Sequence, residues 1–509
     1  MLLLTLVTSL PSWMLLFGSF LIYWIIKIVY RIWFHPLAHV PGPKIAAATH
    51  LYHFYHNAFN KGQFVPYILP GLHEKYGRVV RFSPDEVDVH DVDVIQSFYA
   101  HKFAFKKDAK FWDAFGIPRS SGLLYDYSEW RPRRNLLNPM FSKQSINTAT
   151  NSVIYPMIEK FINRLQEFAD SNKVLPMDGA LYCLTVDIIT EYTCGKAWGF
   201  LSEPGMDSAK LQSVRWLTAG SPYSIEFPWL KKVVLRLHKT FPKLNLGGYS
   251  VTRRAAVETV EHALALNAGN SQKVNSKPKY ILDALLNPDH SKNFPTLGFD
   301  DLLDEAMMLF AGGTDTTAHM VLFSIWRLCI DPDTRKKVTA DVRTLVRGSD
   351  GRFIVAEVEQ LPYLSAFIKE MLRCYYGAIG RTPRLVPAGG ITVPSTGTFL
   401  PAGTRLSTAF ISYHTDPDLF VEPHLFRPER WIGAPGKALE KWLLSFGKGE
   451  RICLGINLAY REMYLLLAEL VTRFEIEPYQ TTAKDMEMID QLAVAPRGRF
   501  KVLLKSKEL

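Results

Sequence analysis

The stretch S445-F-G-K-G-E-R-I-C-L-G455 decides how this chain is read. Three glycines, Gly447, Gly449 and Gly455, surround one cation, Arg451, and one thiol, Cys453, and a long apolar helical pattern follows. A free cysteine commonly behaves as a small buried hydrophobe. At the end of a loop that opens into a helix, however, backbone N–H groups point outward and the dipole lowers a thiol's pKa. Glycines there let the backbone approach a flat ligand closely, and Arg451 can pair with that ligand's acidic edge. The rest of the chain decides between a core thiol and a reactive one.

Upstream, the pattern from about 140 to 380 is mostly helical. Its clearest element is Asp300 to Ile330, far longer than an average helix. Asp300, Asp301, Asp304 and Glu305 crowd its first turns, where the macrodipole alone would explain them. In its middle stands A311-G-G-T-D-T-T317. Two adjacent glycines in a helix cost about 1 kcal/mol each relative to alanine, and threonines can bond back to carbonyls one turn earlier. The pattern predicts a deliberate opening where a small ligand meets the backbone, with Asp315 and Thr316 beside it. A groove against another helix would account for the glycines but not for the acid and the hydroxyl.

Two further pairings use helical spacing. Glu370 and Arg373 share one helical face, and Arg430, in the loop F426-R-P-E-R-W431, could join them in a buried network that ties loop to helix. Trp130 and Arg134, one turn apart, present an indole N–H and a guanidinium suited to a carboxylate. Arg131 and Arg133 read as a solvated basic face. His50, His53 and His56 recur every third residue, but without an accompanying acid or cysteine they do not read as a metal site.

Composition sets the outer bounds. The chain has 509 residues, 48% hydrophobic, 21% charged and 13% aromatic, which excludes a disordered or fibrous chain. With no long linker and no repeat period, one large catalytic unit is expected. The five cysteines (183, 194, 329, 374 and 453) include no C-x-x-C pair, which argues against a disulfide framework and a zinc site. The net charge of +10 comes without a Lys/Arg-rich run, so nucleic acid is not the expected partner. From Met1 to Ile26 no residue is charged, and the apolar run is long enough to span a bilayer. Lys27 and Arg31 follow it, placing the bulk of the protein in the cytosol by the positive-inside rule. The expected organisation is an anchor over 1–31, a Pro/Gly-rich hinge over 32–45 and a catalytic domain over 46–509. The body is expected to be mainly α with small β-sheets, including a hairpin over 78–91.

Phe446, Gly449, Arg451, Cys453 and Gly455 stand at the spacing F-x-x-G-x-R-x-C-x-G, which resembles the haem loop of the cytochrome P-450 family. Glu370-x-x-Arg373, "PERW", "GGTDTT" and Trp130-x-x-x-Arg134 resemble the family's other motifs, in its order, over essentially the whole chain. The resemblance implies the cytochrome P-450 fold behind a single transmembrane helix, and haem b as cofactor. Cys453 would be the axial ligand of the haem iron. Phe446, Gly447 and Gly455 would line the macrocycle, and Arg451, Trp130, Arg134 and Arg384 would hold its propionates. Asp315 and Thr316 would relay protons during oxygen activation, while Glu370, Arg373 and Arg430 would be structural. It implies O2 and a lipophilic substrate, with electrons from an NADPH-dependent reductase, cytochrome b5 being a second possible donor, at the endoplasmic reticulum membrane. Segments 72–91, 131–146 and 380–390 are most similar to filamentous-fungal microsomal members, including the trichodiene-oxygenase-like group of secondary metabolism. Two departures stand out: "CYYGAIG" replaces Leu-x-Pro-Pro after E-x-x-R, and Trp431 replaces the usual Phe. The expected cavity segments are 103–125, the helix around Phe310, 381–387 and 491–496. An isomerase or dehydratase without oxygen activation, and a non-catalytic membrane haem protein, remain the alternatives.

Overall fold

A computed structural model describes residues 12–99, 105–209, 211–213, 220–241, 248–269, 278–288, 294, 296–378 and 381–507. Residues 1–11 of the expected anchor, Phe103 and Ala104 of the first cavity segment, and Ile379 and Gly380 of "CYYGAIG" lie outside them.

The chain is mainly helical with small sheets. Helix α1 (Ser12–Val29) is followed by a π turn over Tyr30–Phe34. The span Trp13–Phe34 has the length and composition to cross a membrane, and none of it is buried against the rest of the protein. Near its end the Lys27 ammonium reaches back to the Tyr23 hydroxyl at 3.0 Å, carrying its charge away from the apolar stem.

The proline-rich segment after the anchor is tied to the body. Leu37 and Val40 are buried, and the Pro41 carbonyl accepts from the Arg81 N–H at 2.7 Å. A Cβ on Gly42 would lie 2.1 Å from the Arg81 carbonyl oxygen. Gly42 therefore serves a close backbone approach as well as a turn.

The expected hairpin is present. Strands β1 (Val79–Ser83) and β2 (Glu86–Val89) pair antiparallel with Val79 opposite Val89. They begin a five-stranded sheet in the order β1-β2-β5-β4-β3, with β3 at Lys106–Lys107, β4 at Arg384–Leu385 and β5 at Arg405–Ser407.

Four helices position the site: α2 (Tyr127–Leu137), α3 (Met177–Cys194), α4 (Phe299–Ile330) and α5 (Pro362–Tyr375). A fifth, α6 (Ile456–Arg473), follows the Cys453 loop. Helix α3 is buried on all sides apart from Glu191, as expected of a core helix that is apolar around its circumference. Thr185, Thr190 and Thr193 satisfy their hydroxyls on carbonyls four residues back. Helix α4 runs against α3 for much of its length, and the two form the centre of the core.

Candidate functional site

The cysteine loop is held open by its own backbone. The Cys453 N–H donates to the Phe446 carbonyl at 2.8 Å, closing the loop at its base. Gly447 and Gly449 have φ of +70° and +67°, a region that favours glycine. The two differ in what surrounds them. A Cβ on Gly449 would lie 2.0 Å from the Tyr99 carbonyl oxygen, so this glycine admits a neighbouring backbone. A Cβ on Gly447 or Gly455 would meet nothing within 4 Å. The expectation that all three clear a flat ligand is thus corrected for Gly449.

Cys453 has an exposed side chain, unlike the buried Cys183 and Cys194. Protein surrounds the thiol at longer range, and this desolvation raises its pKa, while the Gly455 N–H and Arg134 pull it back toward the thiolate. Arg134 reaches the loop directly, donating to the Ile452 carbonyl at 2.8 Å and to Asn138 at 2.8 Å. Asn457 in the first turn of α6 donates to the Phe141 carbonyl at 2.8 Å and fixes that helix beside the end of α2.

Arg451 donates to the Leu124 carbonyl at 2.8 Å, and its guanidinium lies 4.4 Å from the centroid of the buried Trp130 ring. Arg384 donates to the Phe98 carbonyl and packs over Phe98 and Tyr99. The sequence-predicted group of Trp130, Arg134, Arg384 and Arg451 is therefore brought together. Burial, then Arg384 and Arg134, push the Arg451 pKa down to about 9. Burial also lowers Arg384 and Arg134. Among the described residues no carboxylate offsets Arg134 or Arg384. Glu450 partly offsets Arg451 and the Cys453 thiolate partly offsets Arg134, but three clustered, desolvated cations are costly unless a ligand supplies further negative charge. A macrocycle with two acidic arms fits this donor set, and Cys453 with the open side of Gly447 fits its central iron and flat face.

Sequence reasoning passed over a further cation, Lys107 on β3, which stands opposite Arg384 in the strand pairing. Nothing in its local sequence marks it. The contact is made by a strand almost three hundred residues away.

On helix α4 the residues from Leu302 to Met307 and from Thr317 to Trp326 are buried, whereas Ala311, Gly313 and Thr316 are half-buried and Gly312 is exposed. The two glycines divide the roles weighed for them. A Cβ on Gly313 would lie 2.7 Å from Ile189 on α3, so Gly313 is a packing glycine. One on Gly312 would meet only the Met308 methyl at 3.6 Å. The Thr316 hydroxyl donates to the Gly312 carbonyl at 2.8 Å. Asp315 is buried, and desolvation raises its carboxyl to about 8.

Two expectations about charge are overturned. Arg133 is buried, donating to Glu305 at 3.3 Å and pairing with Asp301 at 3.4 Å; only Arg131, paired with Glu450 at 3.3 Å, keeps an exposed side chain. The acids of the first turns of α4 also do more than complement a dipole. Asp304 accepts the Arg119 N–H at 3.1 Å, and Glu305 accepts the Ser121 N–H at 2.8 Å and the Ser121 hydroxyl at 2.5 Å. They strap the 116–126 loop to the helix.

Glu370 and Arg373 form a bidentate pair at 2.8 and 2.9 Å, both fully buried. Arg373 also donates to the His414 and Pro423 carbonyls. Glu370 accepts in addition from Arg430 Nε at 3.1 Å, from the Arg427 N–H at 2.9 Å and from the Trp431 indole at 2.8 Å. Burial works to raise the Glu370 pKa, but these donors hold it below the usual carboxylate range. Trp431, noted as a departure, is thus a donor to the network.

Three of the expected cavity segments meet. Phe111, Arg381 and Leu492 line one small cavity together with Ile225. Among the described residues no group of His, Cys, Asp and Glu could hold a metal ion. His53 is buried, with Asn57 at 2.8 Å from its Nε2.

The family model described as cytochrome P-450 matches residues 51–504. The cytochrome P-450 monooxygenase TRI4 of Fusarium sporotrichioides is 31% identical over 94% of this chain and 91% of its own length. SAT11 of Stachybotrys chartarum, also a cytochrome P-450 monooxygenase by name, is 32% identical over 90% of this chain and 86% of its own. The monooxygenase macH of Penicillium terrestre is 30% identical over 97% and 98% respectively.

Proposed function

The chain belongs to the cytochrome P-450 family, and from that premise we propose that it is a membrane-anchored haem-thiolate monooxygenase. It inserts one oxygen atom from O2 into a lipophilic substrate of fungal secondary metabolism, of terpenoid or similar chemistry. The relatives it resembles are fungal monooxygenases by name, and Phe111, Ile225 and Leu492 give the cavity an apolar side that suits such a substrate, beside the polar Asn57, Arg381 and Asp490.

The observation that carries the reading is Cys453, exposed on a glycine loop and flanked by Arg134, Arg384 and Arg451. Cys453 supplies the thiolate, and the Gly455 N–H and Arg134 stabilise its charge. Arg134, Arg384, Arg451 and Trp130 supply donors for the propionates. Haem, when bound, supplies the activation of dioxygen, favoured by thiolate ligation. Asp315 holds a proton at neutral pH because its carboxyl titrates near 8. The Thr316 hydroxyl must turn from the Gly312 carbonyl to pass a proton on. This acid–alcohol pair favours oxygen activation over the isomerase or dehydratase alternative, which has no use for it.

Electrons come from an NADPH-dependent reductase, with cytochrome b5 as a possible second donor. The net charge of +10 is compatible with an acidic partner. The apolar helix α1 supports single-pass anchoring in the endoplasmic reticulum membrane with the body in the cytosol.

The test is Cys453→Ser in the full chain. The variant should lose the red-shifted Soret band of the reduced carbon-monoxide complex that thiolate ligation gives, together with reductase-dependent product formation. A retained band would sink the ligand assignment.

A further inference from the structure

The far end of α4 borders a cavity that no motif of the sequence explains. Its floor is apolar, built from Leu328 of α4, Leu470 of α6, and Phe474 on the strand Phe474–Pro478 that follows α6. All three side chains are buried. The volume is about 120 Å³, of the order of an apolar cavity that takes up benzene. Leu328 lies about 20 Å along α4 from Thr316, and Leu470 is similarly far along α6 from the Cys453 loop. The cavity is therefore remote from the cysteine site.

Two cations stand over this floor. Arg335 lines the cavity from the helix Pro332–Val342. Lys507 lines it too, with its backbone N–H held by the Arg473 carbonyl at 2.8 Å and its ammonium by the Val471 carbonyl at 2.9 Å. The latter bond uses one of three ammonium donors. Among the described residues neither cation is ion-paired. Burial, then Arg343 and Arg335, lower the Lys507 pKa, and Glu475, which also lines the cavity, opposes them with the smallest effect.

The floor suits an apolar group, and half-desolvated cations without counter-charges favour an anion. Water would meet the cations but not the floor, and a hydrocarbon the floor but not the cations. With Glu475 on the same wall, Arg335 and Lys507 leave one positive charge to be matched, which selects a monoanion over a dianion.

We propose that this cavity is a second ligand site, for a small monocarboxylate carrying one ring. The ring rests on Leu328, Leu470 and Phe474, and the carboxylate accepts from Lys507 and Arg335. The site stands independently of the haem reading above.

The experiment titrates the full-length holoenzyme with phenylacetate and with its neutral counterpart 2-phenylethanol, followed by ligand-observed NMR. Wild type should bind phenylacetate about 10-fold more tightly, the low end for a hydrogen bond to a charged group at a half-exposed place. Lys507→Gln combined with Arg335→Gln should remove that preference, and Lys507→Arg, which keeps the charge, should retain it. Equal affinity for the two probes in wild type would overturn the proposal, as would no phenylacetate binding at millimolar concentration. A preference that survived in the double variant would place the carboxylate elsewhere on the protein and overturn it equally.

Discussion

Asp315→Asn gives a sharp test of the oxygen side of the site, because one carboxyl should govern both stability and proton supply. The folded carboxyl titrates at about 8 and the ordinary aspartate value is 3.8. That difference is worth on the order of 5 kcal/mol. The sign follows from proton linkage. Below about pH 4 both states hold the proton and burial of the neutral acid carries no pH-dependent penalty. As pH rises, the unfolded chain releases its proton while the folded chain keeps it, so stability falls until the folded carboxyl ionises near pH 8. Asparagine removes this dependence. Other groups titrate alike in both proteins, so the difference between them isolates Asp315. Asp315→Asn should therefore gain about 2 kcal/mol on wild type between about pH 6 and pH 8. Urea midpoints measured across that range at fixed protein and detergent concentration read the gain directly. Product formed per NADPH gives the second readout. In wild type it should fall as pH passes about 8 and the donor is lost; in the variant it should be low and flat. A stability difference that stays constant with pH would refute the reasoning, since Asp315 would then be ionised throughout.

Two other outcomes are expected. Thr316→Ala should bind haem normally but divert electrons to hydrogen peroxide, and unchanged coupling of NADPH to product would count against its role in proton transfer. Trp431→Phe removes one of the donors to the buried Glu370 carboxylate and should cost about 2 kcal/mol. A thermal midpoint unchanged from wild type would mean that Arg373, Arg430 and the Arg427 N–H satisfy Glu370 unaided.

The sequence reading succeeded where one short segment carries both the residue and its reason. The apolar run of α1, the hairpin around Ser83–Glu86 and the 32-residue helix α4 were all readable from local pattern. Trp130 and Arg134, and Glu370 and Arg373, were readable because helical spacing puts each pair on one face. It failed where a partner arrives from elsewhere in the chain. Arg133 looked solvated beside Arg131, but the acids that bury it lie on α4. Asp304 and Glu305 looked like dipole complements because the N–H groups they accept belong to Arg119 and Ser121. Gly449 is explained by the Tyr99 backbone, and Lys107 by the register of β3 on β4. Trp431 could have been read as a donor, since an indole N–H two residues beyond Glu429 would need a buried acceptor.

The neighbouring glycines of α4 bear on how this enzyme could change. Gly313 is locked by Ile189, and any side chain there would force α3 and α4 apart. Gly312 has room for a methyl group, and alanine in its place would stabilise the helix by up to about 1 kcal/mol. The chain forgoes that gain and keeps an exposed stretch of backbone in the middle of its longest helix. If Thr316 acts as proposed, position 312 would be an inexpensive place to alter substrate choice: a single methyl would shrink the space beside Thr316 while firming the helix that carries it. Selection for a smaller substrate and selection for heat resistance would there favour the same substitution.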